Sequence, residues 1–269
     1  KPDIVLTVGD RFETMATTLA AAYMNIPIAH TMGGEITGTI DESIRHAVTK
    51  FSHIHFPASM DAKERIIKLG EKKENIFLVG CPRIDLVDAI IKLKKKNNNE
   101  ILSTGVGDTI DIDKPFILVS QHPVTTEYSE SEHQMNQTLT ALEKLNMQTI
   151  ILWPNADAGS NGISKSIRKW REKNRFKNNI RFFKNLSIDT YVYLMKKTSV
   201  LVGNSSSGIR EGAFIGTPVV NIGTRQDSRQ RGKNVIDIGY DTNKIIKAIQ
   251  KQIKHGKYTS QSIYGDGQA

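Results

Sequence analysis

The chain has 269 residues, 38% of them hydrophobic and 24% charged, with 37 Lys and Arg against 28 Asp and Glu for a formal net charge of +9. At roughly 150 residues per domain this length reads as about two domains, and the balance excludes collagen-like, low-complexity and disordered classes. The positive excess favours anionic partners without choosing among them, no apolar run approaches the roughly 18 residues of a membrane span, and a lone Cys81 excludes an internal disulfide, so a reducing cytoplasm is expected.

Lys1-Pro2-Asp3 leads straight into a β-branched run at 4–8, expected as a parallel strand buried on both faces. No charged segment, apolar stretch and small-residue cleavage site precede it, so the chain is expected to start inside a natural domain. Further strands are predicted at 26–30, 53–57, 76–80, 116–120, 149–153, 180–183, 200–202, 219–222 and 235–238. Helices are predicted between them at 12–24, 41–51, 61–69, 132–145, 164–174, 190–197, 208–214 and 242–255. Such alternation predicts the α/β class, with parallel sheets joined by right-handed crossovers. The lysine run, Asn97-Asn98-Asn99 and the Gly105/Gly107 pair break the pattern over 92–113, which reads as a linker between a first half, 1–110, and a second, 111–269.

Chemistry gathers where predicted strands end, the edge at which open α/β sheets bind ligands. The first strand runs into Gly9-Asp10-Arg11, a carboxylate beside a guanidinium; Asp10 could equally cap the following helix. The second runs into Thr31-Met32-Gly33-Gly34-Glu35, then Gly38-Thr39-Ile40 and a helix on which Asp41 and Arg45 share one face. Asp10, Glu35, Asp41 and Arg45 are therefore expected to converge. In the second half, Gln121-His122-Pro123 follows a strand, and an imidazole with a pKa near 6.5 suits acid–base work. Val200-Leu201-Val202-Gly203-Asn204-Ser205-Ser206-Ser207-Gly208 is a strand, a Gly/Ser turn and a helix start, offering backbone N–H groups and hydroxyls to a diphosphate. It has neither the GxGxxG spacing nor that of a P-loop. Gly223-Thr224-Arg225-Gln226 repeats the glycine turn with a guanidinium, and Trp153-Pro154-Asn155-Ala156-Asp157 is the weakest of these signals.

In this order, these segments resemble the hydrolysing UDP-N-acetylglucosamine 2-epimerases of sialic-acid and related sugar biosynthesis, and the likeness runs from the first residue to the last. The resemblance implies two Rossmann-like domains in the glycosyltransferase-B arrangement, with the nucleotide sugar in the cleft between them. It implies anti elimination of UDP to a glycal, then addition of water to give the 2-epimeric free sugar, such as N-acetylmannosamine. Carried over, Asp10, Asp41, Arg45 and His122 belong to the proton-transfer and electrostatic set, while Arg11, Ser205, Ser206 and Arg225 hold the phosphates. Glu211 becomes the ribose-hydroxyl acceptor and Asn155 lies near the uridine. Many relatives carry a carboxylate where this chain has Met32, which leaves Glu35 as a candidate for that work. The family's first strands and closing helix have no counterpart here, so the first domain is expected to be incomplete and the chain as given weak or inactive.

The resemblance implies no cofactor and no metal, a UDP-sugar as partner, and leaves homo-oligomerisation open. A glycosyltransferase of similar architecture or a nucleotide-sugar sensor would want the same diphosphate seat with less need of the acidic cluster. Nucleic-acid binding is disfavoured because the basic residues are not interleaved with a stacking aromatic platform.

Overall fold

The computed structural model describes residues 1–93, 104–173 and 179–269. The middle of the expected linker, 94–103, lies outside the described residues, as does the last residue of the helix predicted at 164–174. The chain forms two compact units, one of 1–88, 227–230 and 262–269, the other of 89–226 and 231–261. The first division thus falls at 88/89, ahead of the predicted 110/111, and the last eight residues belong with the first unit.

The first unit carries a three-stranded parallel sheet in the order β1 (Val5–Val8), β2 (Ile28–Thr31), β3 (Ile54–Phe56). Helices α1 (Phe12–Tyr23) and α2 (Asp41–Phe51) make the crossovers, and α3 (Met60–Lys68) follows β3 with Ser59 Oγ as its N-cap, accepting from the Ala62 amide. β1 corrects an expectation: it pairs on one side only, leaving Leu6 61% and Val8 58% exposed while Thr7 is buried. An edge strand so placed is covered on one face rather than two. The strand predicted at 76–80 is also absent as a ladder, reduced to a single parallel bridge between His55 and Ile76. The Phe77 amide donates to the His55 carbonyl, but the next bond of a parallel ladder needs an N–H at position 57, which is Pro57. Helix α4 (Pro82–Lys92), unpredicted, opens on a proline at its first position and buries Ile84 and Val87 on one side.

The second unit holds β4 (Val106–Gly107), β5 (Phe116–Ser120), β6 (Gln148–Leu152), β7 (Ile180–Phe183), β8 (Val200–Gly203), β9 (Val219–Ile222) and β10 (Val235–Ile238). Their order is β10-β9-β8-β5-β6-β7-β4, all parallel except the short β4, which lies antiparallel on β7 inside the stretch expected to be linker. The helices are α5 (Ser131–Leu145), α6 (Ser160–Lys173), α7 (Ile188–Lys197), α8 (Ser206–Ile209), α9 (Glu211–Ile215) and α10 (Thr242–His255). β5 shows why this half reads so clearly as buried sheet. Ile117 and Val119 face a cluster with α5, α6 and α10, whereas Phe116 and Leu118 face one with Leu194 and Met195 of α7. The helix expected at 208–214 is two short ones, broken at Arg210, where φ is −87° and ψ −71°.

Because β5 pairs with β6 on one side and β8 on the other, the sheet reverses its winding between β5 and β8. The carboxyl ends of those strands flank the crevice where doubly wound sheets take ligands.

Candidate active site

In the first unit, the loops after β1 and β2 meet on α2. Arg45, 1% exposed, forms an ion pair with Asp10 and donates from Nη1 to the Glu35 carbonyl at 2.6 Å. Asp10 is thus not a helix cap. Arg11 occupies the N-cap position of α1 with no side-chain cap bond, and Asp10 answers a buried guanidinium. Arg11 itself is exposed, 3.8 Å from Glu13. Asp41 is the first residue of α2 and accepts from the Thr39 hydroxyl at 3.1 Å.

The glycine turn that carries Glu35 is sterically fixed. Gly34 has φ +78°, and a Cβ there would stand 2.3 Å from the Ala62 carbonyl oxygen in α3. Met32 has φ +62° and its sulfur lies 4.0 Å from that of Cys81. Glu35 is buried, its Oε2 3.2 Å from Arg229 Nη2, itself buried. His30, fully buried behind this loop, bridges the Gly9 carbonyl at 2.8 Å and the Thr49 hydroxyl at 3.2 Å. Burial, the dominant cause, lowers its pKa to about 4, so the ring is neutral and its Nε2–H donates to Gly9.

In the second unit, four predicted residues follow four parallel strands at one sheet edge: His122 after β5, Asn155 after β6, Ser205 after β8 and Arg225 after β9. Gly203 ends β8 with φ +131°, and a Cβ there would sit 2.2 Å from the Ser120 carbonyl, so only glycine lets β8 close on β5 at this point. Asn204, buried, then clamps the neighbouring loop: Oδ1 accepts from the His122 amide at 2.7 Å, and Nδ2 donates to the His122 carbonyl at 2.8 Å. Ser205 caps α8 by accepting from the Ser207 amide at 3.3 Å, and Ser206 Oγ accepts from Arg210 Nη2 at 3.2 Å. α8 is a single helical turn, so the hydroxyls and turn amides, not an extended helix dipole, are what this loop offers an anion.

His122 is held at both ring nitrogens. The Asn155 amide donates to Nδ1 at 3.2 Å, and Nε2 lies 3.3 Å from Ser120 Oγ. Burial first, then the Arg225 charge, lowers its pKa to about 4. The sequence suggested an acid–base histidine; the structure presents a neutral hydrogen-bonding one. Arg225 is mostly buried and lies 3.6 Å from Asp157, which also accepts from Asn155 Nδ2. Glu211 is buried at the start of α9, 3.9 Å from Arg210 Nε.

Sequence reasoning missed Asn204, Asp157 and Arg229 as members of these clusters. The first two stood inside quoted motifs, where an amide or acid beside a turn reads as ordinary turn chemistry. Arg229 carried no local signal, because its partner Glu35 is remote in sequence. Among the described residues, no group of three or more His, Cys, Asp or Glu could hold a metal ion, and no helix is long and apolar enough to cross a membrane.

The family model described as UDP-N-acetylglucosamine 2-epimerase matches residues 1–269. The chain is 37% identical over 266 residues to a UDP-N,N'-diacetylbacillosamine 2-epimerase (hydrolyzing) of Legionella pneumophila, covering 99% of this chain and 68% of the relative. It is 32% identical over 267 residues to a UDP-N-acetylglucosamine 2-epimerase of Neisseria meningitidis, again across 99% and 68%. A UDP-GlcNAc 2-epimerase from Neisseria meningitidis, solved bound to UDP-GlcNAc, shares the fold with a TM-score of 0.80 at 21% identity, over 99% of this chain and 73% of that one.

Proposed function

Because this chain belongs to the UDP-N-acetylglucosamine 2-epimerase family, we propose that the protein it represents is a hydrolysing 2-epimerase of a UDP-linked acetamido sugar. Water and the sugar nucleotide yield UDP and the free 2-epimer. The observation that carries this reading is the convergence of His122, Asn155, Ser205 and Arg225 on one sheet edge at the winding reversal.

In this reading the second unit takes the UDP. Ser205, Ser206 and Arg225 bind the diphosphate, whose charge grows as the C1–O bond breaks, so fixed donors stabilise the transition state more than the ground state. Asp157 holds the Arg225 guanidinium in place. Asn155 contacts the uracil end and Glu211 accepts from the ribose hydroxyls. The acids of the first unit, Asp10, Glu35 and Asp41, are the proton-transfer set. One removes the C2 proton as UDP departs from C1, giving the glycal; water then adds at C1 and a proton returns to C2 from the other face. Arg45 holds Asp10 in position through their ion pair, and Arg229 does the same for Glu35. Neutral His122 serves as a hydrogen-bond donor through Nε2–H.

The hydrolysing relatives of Legionella pneumophila and Campylobacter jejuni, named for diacetylbacillosamine and 37% and 35% identical, favour a 2,4-diacetamido sugar as substrate over N-acetylglucosamine. Full-length protein incubated with each sugar nucleotide in the absence of any acceptor tests the proposal. Release of UDP from one of them is expected. UDP appearing only when an acceptor alcohol is added identifies a glycosyltransferase instead.

A further inference from the structure

The turn that carries Arg225 is held on both flanks. On one side the buried Gln226 donates from Nε2 to the Asn204 carbonyl at 2.9 Å. On the other, the Thr224 hydroxyl donates to Oε1 of Glu127, an acid in the short 3-10 segment Thr125–Glu130 that follows the His122 loop. The second carboxylate oxygen of Glu127, Oε2, accepts from Gln134 Nε2 at 2.6 Å. Gln134 is buried on α5, so the acid is itself moored to a core helix while it holds Thr224.

Glu127 reaches this turn from a loop that is not adjacent. β8 lies between β5 and β9, so the strand ends that launch the two loops stand about 10 Å apart, two strand spacings. The link therefore joins the loops on either side of the one that carries Ser205. The core does not call for it, because Thr126, Tyr128, Ser129 and Glu130 are exposed and Glu127 and Thr224 are only half-buried. A negative charge bonded to the neighbour of an anion-binding guanidinium opposes the anion unless it serves to place the cation. Asp157 does so by pairing with the Arg225 side chain at 3.6 Å. Glu127 acts on the same turn one residue ahead, through Thr224.

We propose that Glu127 is a positioning residue: through the Thr224 hydroxyl it fixes the turn that carries Arg225 and so presets the guanidinium for the diphosphate of the ligand. A hydrogen bond to a carboxylate is stronger than one between neutral groups, which suits an acid to this task. A guanidinium already in place meets phosphate oxygens without the turn having to lose its freedom on binding. The proposal rests on the reading of Arg225 as a diphosphate ligand, given above.

The test is calorimetry of UDP on the full-length protein, with thermal unfolding of each variant recorded beside it. Thr224→Val keeps the shape of the side chain and removes the donor, and Glu127→Met keeps the length and removes the acceptor. Each should weaken UDP about three- to tenfold, the effect of losing one hydrogen bond, and the two together no more than either alone. Thr224→Ser retains the hydroxyl and should bind as the wild type does. In an Arg225→Met background neither substitution should weaken UDP further, a result that a merely structural role would not give. Should Glu127→Met not fold, Thr224→Val and Thr224→Ser decide the matter. Wild-type affinity in either folded single variant, a loss in Thr224→Ser equal to that in Thr224→Val, or undiminished effects in the Arg225→Met background overturns the proposal. If the wild type does not bind UDP, or Arg225→Met binds it unweakened, the diphosphate reading is refuted and the proposal falls with it. Weakening by Arg225→Met but by neither Thr224→Val nor Glu127→Met refutes the positioning role alone.

Discussion

Among the described residues Arg45 is the largest fully buried side chain, and it carries a guanidinium, which makes its pairing with Asp10 a measurable feature of the first unit. Removing the carboxylate by Asp10→Ala leaves the guanidinium its one bond to the Glu35 carbonyl and an unanswered charge. Breaking a buried pair in this way costs about 3–5 kcal/mol, and Asp10, with 25% of its side chain exposed, admits water that sets the value near the lower end, about 3 kcal/mol. For a unit of about 100 residues that corresponds to a fall in Tm of roughly 12–24 °C. Replacing both partners, Asp10→Ala with Arg45→Met, removes the stranded charge and should return at least about 1.5 kcal/mol. Both tryptophans, Trp153 and Trp170, belong to the second unit, so their fluorescence does not report this change. Hydrogen exchange of the β1 and β2 amides, with far-ultraviolet circular dichroism at pH 7.5, does. A double variant whose loss equals the sum of the two single losses, or an Asp10→Ala loss below about 0.5 kcal/mol, typical of an exposed pair, would refute the assignment of a buried pair.

Acid should weaken both units. His30 and His122 have folded pKa values lowered to about 4 against 6.5 when unfolded, so between those limits the unfolded chain binds more protons. Stability is complete above pH 6.5 and falls as pH drops toward 4, by about 3 kcal/mol per histidine; urea unfolding from pH 7.5 to 4.5 checks this, and a flat profile contradicts it. Removing the neighbouring charge by Arg225→Met should raise the His122 pKa toward its ordinary value, read by NMR titration, and weaken UDP by about tenfold or more. An unmoved His122 titration would show that the charge is not acting on the ring. Gly203→Ala forces a Cβ to within 2.2 Å of the Ser120 carbonyl at an unfavourable φ; a loss of more than about 2 kcal/mol, with loss of UDP binding, is expected in denaturant unfolding.

The parts of the molecule that were legible in the sequence are those where one local rule decides. β-branched runs such as 116–120 and 219–222 are buried on both faces, and they formed strands within a residue of expectation. Helices with a clear apolar stripe, 41–51 and 242–255, matched their predicted limits. Errors arose where a single residue or a distant partner decides. Pro57 halts a ladder that the run at 76–80 would otherwise continue. The backbone break at Arg210 divides a helix that looks continuous in sequence. For the site, strand ends fixed where His122, Ser205 and Arg225 would stand, because every parallel strand delivers its following loop to the same edge. Side-chain partners were beyond that logic. Asp10 looks like a cap until Arg45 is seen behind it, and His122 looks like a proton shuttle until Asn155 and Ser120 are seen holding both nitrogens.

The central claim, epimerisation with loss of UDP, is tested most directly by running the full-length protein on its UDP-acetamido sugar in deuterium oxide and analysing the sugar released. The account predicts a free sugar of inverted C2 configuration carrying one solvent deuteron at C2. UDP released together with a sugar of unchanged C2 configuration and no deuterium would contradict it.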